Sequence, residues 1–162
     1  MNIVKSVLIA AILSLATVMP SAYAVKDGET FKSWKGHCEK FQGKEFCGIS
    51  QTVVDADKKP VVNIFIRKVK VKDKPNHIAF IKVPLGVNLQ AGLGLAVDKK
   101  EIARVPYTVC DPAGCNAILP LKEELINKIK TGGKMQIGVL LVNKEIVLTA
   151  SLSGVTKALE AL

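Results

Sequence analysis

From Phe46 onward the apolar positions recur mostly at every second residue, with turn-forming residues between the runs. That is the pattern of strands burying one face. Phe46 to Val54 reads as a strand after the turn sequence QGKE (42–45). DADKKP (55–60) breaks the chain, VVNIFIRKVKV (61–71) resumes as a long strand, and KDKPN (72–76) turns it back into HIAFIKV (77–83). After Pro84-Leu85-Gly86 come the shorter runs LGLAV (93–97), IARVPYTVC (102–110) and CNAILPL (115–121), each bounded by Gly, Pro or charged residues. One segment departs from this period. Leu121, Leu125, Ile126 and Ile129 share a face at helical spacing, with Glu123 and Glu124 at the start of the segment and Lys128 and Lys130 at its end, which suits the helix dipole. The sequence predicts a helix over 121–130, stopped by a left-handed glycine at Gly132-Gly133. MQIGVLLV (135–142) and EIVLTASL (145–152) read as a hairpin, and Gly154 leads into a short C-terminal helix, VTKALEAL (155–162). The fold class is mainly β: an antiparallel sandwich or flattened barrel with one inserted helix and a short C-terminal helix.

Residues 1–24 change the picture of where this chain resides. They combine Lys5, an uncharged stretch of 13 residues from Val7 to Met19, Pro20, and the Ala22-Tyr23-Ala24 cleavage pattern of a secretory signal. As a helix the apolar stretch reaches about 20 Å, short of a bilayer core of about 30 Å. Cleavage after Ala24 is expected to leave one domain, 25–162, with no transmembrane segment. The formal charge falls from +9 to +8 because the removed piece holds one Lys and no acid. Of 23 basic residues only Arg67 and Arg104 are arginine. Lysine is a hydrated point charge, whereas arginine dominates base-edge and bidentate phosphate reading, so no nucleic-acid partner is expected.

Export gives the four cysteines, Cys38, Cys47, Cys110 and Cys115, an oxidising destination. Three connectivities are possible, and the local one, 38–47 with 110–115, is expected because each pair flanks a turn-like sequence. Between Cys110 and Cys115 stands DPAG, where Pro112 presets a turn dihedral and Gly114 tolerates a positive φ. Loop entropy does not select this pairing, since a 38–115 bridge would contribute about 4–5 kcal/mol against about 2–3 for each short loop. The spacings do not suit C-x-x-C redox chemistry, and His37 with the four cysteines lacks zinc-knuckle spacing. Asp55 and Asp57 alternate as in a calcium loop, but Pro60 and Ile66 stand where a glycine and a glutamate are required. With His37 and His77 the only histidines and no catalytic motif, no catalytic, metal or cofactor residue is assigned. Lys68, Lys70 and Lys72 fall on one strand face about 7 Å apart, with Lys74, His77 and Lys82 continuing the basic character around the turn. Lys68, Lys70, Lys72 and Lys74 are the candidate contact for an anionic lipid or polysaccharide surface.

Taken in order, Trp34, Cys38, CGISQ (47–51), PLGVNLQAGLGLAVD (84–98), PYTVCDPAGCNA (106–117) and SLSGVTKAL (151–159) resemble the invasion-associated locus B family of exported bacterial proteins. The resemblance spans nearly all of residues 31–162. It implies an exported β-rich domain from a Gram-negative bacterium, periplasmic, secreted or outer-membrane associated, linked by family name to virulence and host-cell invasion. It implies structural roles for the cysteines, Trp34, Gln51, Pro84, Leu85, Gly86 and Gly114, and a non-catalytic part in binding an envelope or host-surface component. Val155 departs from the aromatic usual after SL-x-G and is expected to pack the C-terminal helix less firmly. Two other readings are carried: a carrier enclosing a small apolar ligand, and an enzyme with an unrecognised site.

Overall fold

Alternation along the chain becomes one-sided burial in three dimensions. The computed structural model describes residues 25–72, 74–142 and 144–162; the expected signal segment, 1–24, lies outside them. The chain runs β1 (Thr30–Phe31), β2 (Trp34–Phe41), β3 (Lys44–Val54), β4 (Pro60–Val71), β5 (Lys74–Val83), β6 (Leu93–Val97), β7 (Lys100–Val105), β8 (Tyr107–Asp111), β9 (Gly114–Leu121), α1 (Glu123–Thr131), β10 (Lys134–Leu141), β11 (Lys144–Ser151) and α2 (Val155–Glu160). The strands form two antiparallel sheets, a large one of order β1-β2-β3-β4-β5-β9-β8 and a small one of order β11-β10-β6-β7. The result is an open sandwich and not a closed barrel. The chain changes sheets within one residue at Pro106, between β7 and β8. Proline suits that corner, because it supplies no ladder N–H and fixes φ.

Every second residue of the central strands enters the space between the sheets. Val62, Ile64 and Ile66 of β4, Ala79, Ile81 and Val83 of β5, and Ala117 of β9 face Leu93, Leu95, Met135, Ile137 and Val139 from the small sheet. Among the described residues no polar or charged residue is fully buried. The polar ties between the sheets lie at one edge, around Ser151 at the end of β11. Gln51 on β3 donates from Nε2 to the carbonyls of Ser151 (2.8 Å) and Ser33 (3.0 Å). Its Oε1 accepts the Ser151 amide at 2.9 Å, and the fully buried Trp34 donates from Nε1 to the same Ser151 carbonyl at 3.1 Å. One glutamine thus completes both backbone groups of a strand end that has no ladder partner across the gap.

The helices close the open end of the sandwich and correct three expectations. First, α1 starts at Glu123, and Leu121 is instead the last residue of β9, paired with His77 and 1% exposed. Pro120 and Leu121 keep the strand phase, and the helix face is Leu125, Ile126 and the buried Ile129. Second, Gly132 is extended (φ −82°, ψ 160°), not left-handed. Its glycine is required by space, since a Cβ there would overlap Val97 Cγ1. The extended exit delivers the Gly133 and Lys134 amides to the Asp98 carboxylate at 3.0 and 2.9 Å, latching the end of α1 to the β6–β7 turn. These two backbone donors, above all, hold the Asp98 carboxyl below its usual pKa. Third, Val155 does not loosen α2: it is 1% exposed and is buried with Ala158 and Leu159. Gly154 sets the entry to α2 with φ +89°, directly against the Phe31 carbonyl, where no side chain fits.

Both the glutamine tie and the aspartate latch can be measured as stability. Gln51→Ala strands the Ser151 amide and the Ser33 carbonyl, so chemical denaturation should show a loss of about 2 kcal/mol; a loss below about 0.5 kcal/mol would show that the tie is dispensable. Asp98→Ala removes a carboxylate whose native pKa is lowered, so its contribution is complete above about pH 4, the unfolded value. That contribution fades as pH falls through the native value. The gap in Tm between wild type and Asp98→Ala should therefore be full at pH 6 and shrink below pH 4. A gap unchanged at pH 2.5 would refute the charge-assisted latch.

Candidate functional site

Both disulfides are local. Cys38–Cys47 joins directly opposed residues of β2 and β3, and Cys110–Cys115 does the same across β8 and β9, with Cα separations of 4.1 and 4.0 Å. The first hairpin turns at Gln42-Gly43, both with positive φ. In the second, Asp111 Oδ1 accepts the Ala113 amide at 2.8 Å, an Asx turn that folds Pro112-Ala113 back on itself. Gly114 comes next with φ +138°, and a Cβ there would overlap the Val83 carbonyl of β5. Cys38, Cys47 and Glu45 place three donor atoms within 4.8 Å of one another, but both sulfurs are committed to their disulfide. The cluster is left with a single carboxylate to offer a metal ion.

The lysines lie on a ribbon that runs past the ends of the ladders on either side of it. The β3–β4 ladder ends at Ile49–Ile66 and the β5–β9 ladder ends at His77–Leu121, while β4 and β5 continue pairing to Val71–Lys74. Among the described residues the tip of this hairpin is paired only with itself. Lys68 and Lys70 are exposed and continue the inward phase of Val62, Ile64 and Ile66 past the end of the core. Lys72 does not share their strand face: it sits in the turn beyond β4 with φ +49°. Lys74 opens β5 opposite Val71, which is 47% exposed. His77 stands opposite Lys68, half-buried, with no partner for Nε2 among the described residues. Burial first, then Lys68 and Lys130, lower its pKa, so the ring adds no charge to the ribbon at neutral pH. Lys82 belongs elsewhere, on the outward phase of β5, 3.5 Å from Asp111.

On the outer face of the large sheet, side chains from five strands meet that the linear sequence keeps far apart. Asn63, Lys82 and Asn116 are register partners across β4, β5 and β9, and the next row is Ser50, Phe65, Phe80 and Ile118. A shallow depression of about 500 Å³ lies over these rows, bordered at the β2 side by His37 and Glu39. His37 Nε2 is 3.0 Å from Glu39 and its Nδ1 is 3.6 Å from Asp27. The Arg67 guanidinium lies 5.4 Å from the Phe46 ring centre and 5.6 Å from that of Phe80, a cation held between two aromatic groups. Period two marks these residues as outward-facing; nothing in the linear sequence sets them side by side. Between the sheets, by contrast, the space lined by Trp34, Ile64, Ile81, Leu95 and Met135 amounts to about 10 Å³. Ligand cavities run to about 300–1,000 Å³, so an enclosed apolar cargo has no room there.

Comparison with known proteins agrees with this architecture. A crystal structure of invasion associated protein B from Bartonella henselae superposes with a TM-score of 0.70 and 21% identity, covering 81% of this chain and 90% of that one. At that identity the likeness speaks for the fold. No curated protein matches the sequence. The family model described as invasion associated locus B (IalB) protein matches residues 34–162, from Trp34 at the start of β2 through α2. The chain belongs to the invasion associated locus B family.

Proposed function

We propose that this protein is an exported, non-catalytic member of its family that acts by surface binding, in the bacterial envelope or at a host cell. In this reading the lysine-tipped β4–β5 ribbon is its contact with an anionic lipid surface. The observation that carries the reading is the ribbon itself: Lys68, Lys70, Lys72 and Lys74 stand at a hairpin end that, among the described residues, is in ladder register with neither neighbouring strand. Projecting cations meet a flat anionic surface without first desolvating the rest of the molecule, and each lysine near such a surface contributes about 1 kcal/mol. The signal-like segment 1–24, the two disulfides and the family membership support export. The filled inter-sheet space supports action from the surface over carriage of an enclosed ligand.

Sedimentation of the disulfide-bonded protein with vesicles of phosphatidylcholine and phosphatidylglycerol tests this. Binding should weaken as salt rises, because the Debye length shrinks from about 10 Å at 0.1 M to about 3 Å at 1 M. The Lys68→Gln/Lys70→Gln/Lys72→Gln/Lys74→Gln variant should bind about three decades more weakly at low salt. Equal binding by the variant, or binding insensitive to salt, would remove the ribbon from the mechanism.

A further inference from the structure

The depression on the outer face of the large sheet is distinct from the ribbon in place and chemistry. Its floor is aromatic and held in position. The Phe65 ring lies across Gly48, where a Cβ would overlap it. Phe80 flanks it at 6.2 Å between ring centres and His37 meets it edge-on at 6.1 Å. Beside this floor runs a polar row in strict register, Asn63, Lys82 and Asn116, on three adjacent strands. Strand separation spaces those groups about 4.8 Å apart, close to the length of one sugar ring.

The charges at the rim decide what kind of ligand suits it. Lys82 is accompanied by Asp111 at 3.5 Å, and His37 by Glu39 at 3.0 Å and Asp27 at 3.6 Å. An anion arriving here would find Lys82 and His37 already matched by carboxylates, and an apolar partner would take these ion pairs and two carboxamides, one of them on Thr52, out of water. A hydroxyl group both donates and accepts, so a polyol can satisfy carboxamide, ammonium and carboxylate together. A pyranose also presents an apolar C–H face, which suits an aromatic floor of this width.

We infer that this face binds a neutral oligosaccharide, with a sugar ring over Phe65 and its hydroxyls on Asn63, Lys82 and Asn116. The site is open, so the chain is bound along the sheet and not enclosed.

Titration of ¹⁵N-labelled, disulfide-bonded protein with cellohexaose, with chitohexaose and with an α-1,4-galacturonate hexamer tests the assignment. At least one neutral hexamer should shift the amides of Ser50, Asn63, Phe65 and Asn116 saturably. Asn63→Asp/Asn116→Asp, nearly isosteric but without the carboxamide donors, should weaken that binding by about tenfold. The ribbon variant with four Lys→Gln changes should bind the same hexamer as wild type does, so failure here and failure of the lipid contact are separate results. The inference is overturned if neither neutral hexamer gives saturable shifts or if only the galacturonate binds. It is equally overturned if the shifts map to the β4–β5 tip, or if the Asp variant, its spectrum otherwise native, retains full affinity.

Discussion

Two sheets that meet only through apolar side chains have no intrinsic registration, because hydrophobic contact is non-directional. Gln51 and Trp34 supply it. By placing three hydrogen bonds on the amide and carbonyl of Ser151, they pin the end of β11 to the first strands of the large sheet. The same point fixes the path of the chain from β11 into α2. Ser33 receives Gln51 and donates its own amide to the Ser153 carbonyl, and Gly154 then turns against Phe31 into α2. Loss of that tie would leave the small sheet free to slide over a greasy interface, and α2 would lose its fixed entry.

A sheet of four strands cannot cover one of seven, and that mismatch leaves part of the large sheet's inner face open. α1 and α2 fill part of the uncovered inner face with Ile129, Val155, Ala158 and Leu159. Beyond them β4 and β5 run on paired only with each other, and the inward phase of β4 changes from Ile64 and Ile66 to Lys68 and Lys70 where the core ends. Lysine there also keeps a free hairpin edge from recruiting further strands. Among the described residues the outer face of the large sheet has no covering layer, yet Phe65 and Phe80 are half-buried, flanking each other with Arg67 over Phe80.

Much of this fold was legible from period-two alternation, because burial on one sheet face imposes it residue by residue. The DPAG turn was equally legible, since Asp, Pro and Gly each have a local conformational reason to stand there. The features that escaped are nonlocal or ambiguous. WKGHCEKF (34–41) shows little alternation because Gly36 and Cys38 occupy its inward positions, so β2 does not announce itself. Leu121 fits a helical face as well as a strand end, and only its pairing with His77 decides. Gly132 reads as a conformational stop when its reason is the volume of Val97. Lys72 obeys strand spacing on paper, while in the fold it has already left β4 with positive φ. The depression was invisible because its rows run across strands, through partners about 15 to 40 positions apart along the chain.

The two surfaces work over different distances. Lysine ammonium groups on a projecting ribbon act through a field that extends about 8 Å at physiological ionic strength, without requiring a fixed orientation. An aromatic floor with carboxamides in register acts only on contact, and it depends on how rigidly the sheet holds its rows. Disulfides close both hairpins toward the margins of the large sheet, β2–β3 on one side and β8–β9 on the other. Asp111 shows the connection directly: it turns the second hairpin through the Ala113 amide and also faces Lys82, the central group of the polar row. The disulfide-bonded turn therefore adjoins the polar row of the outer face through Asp111.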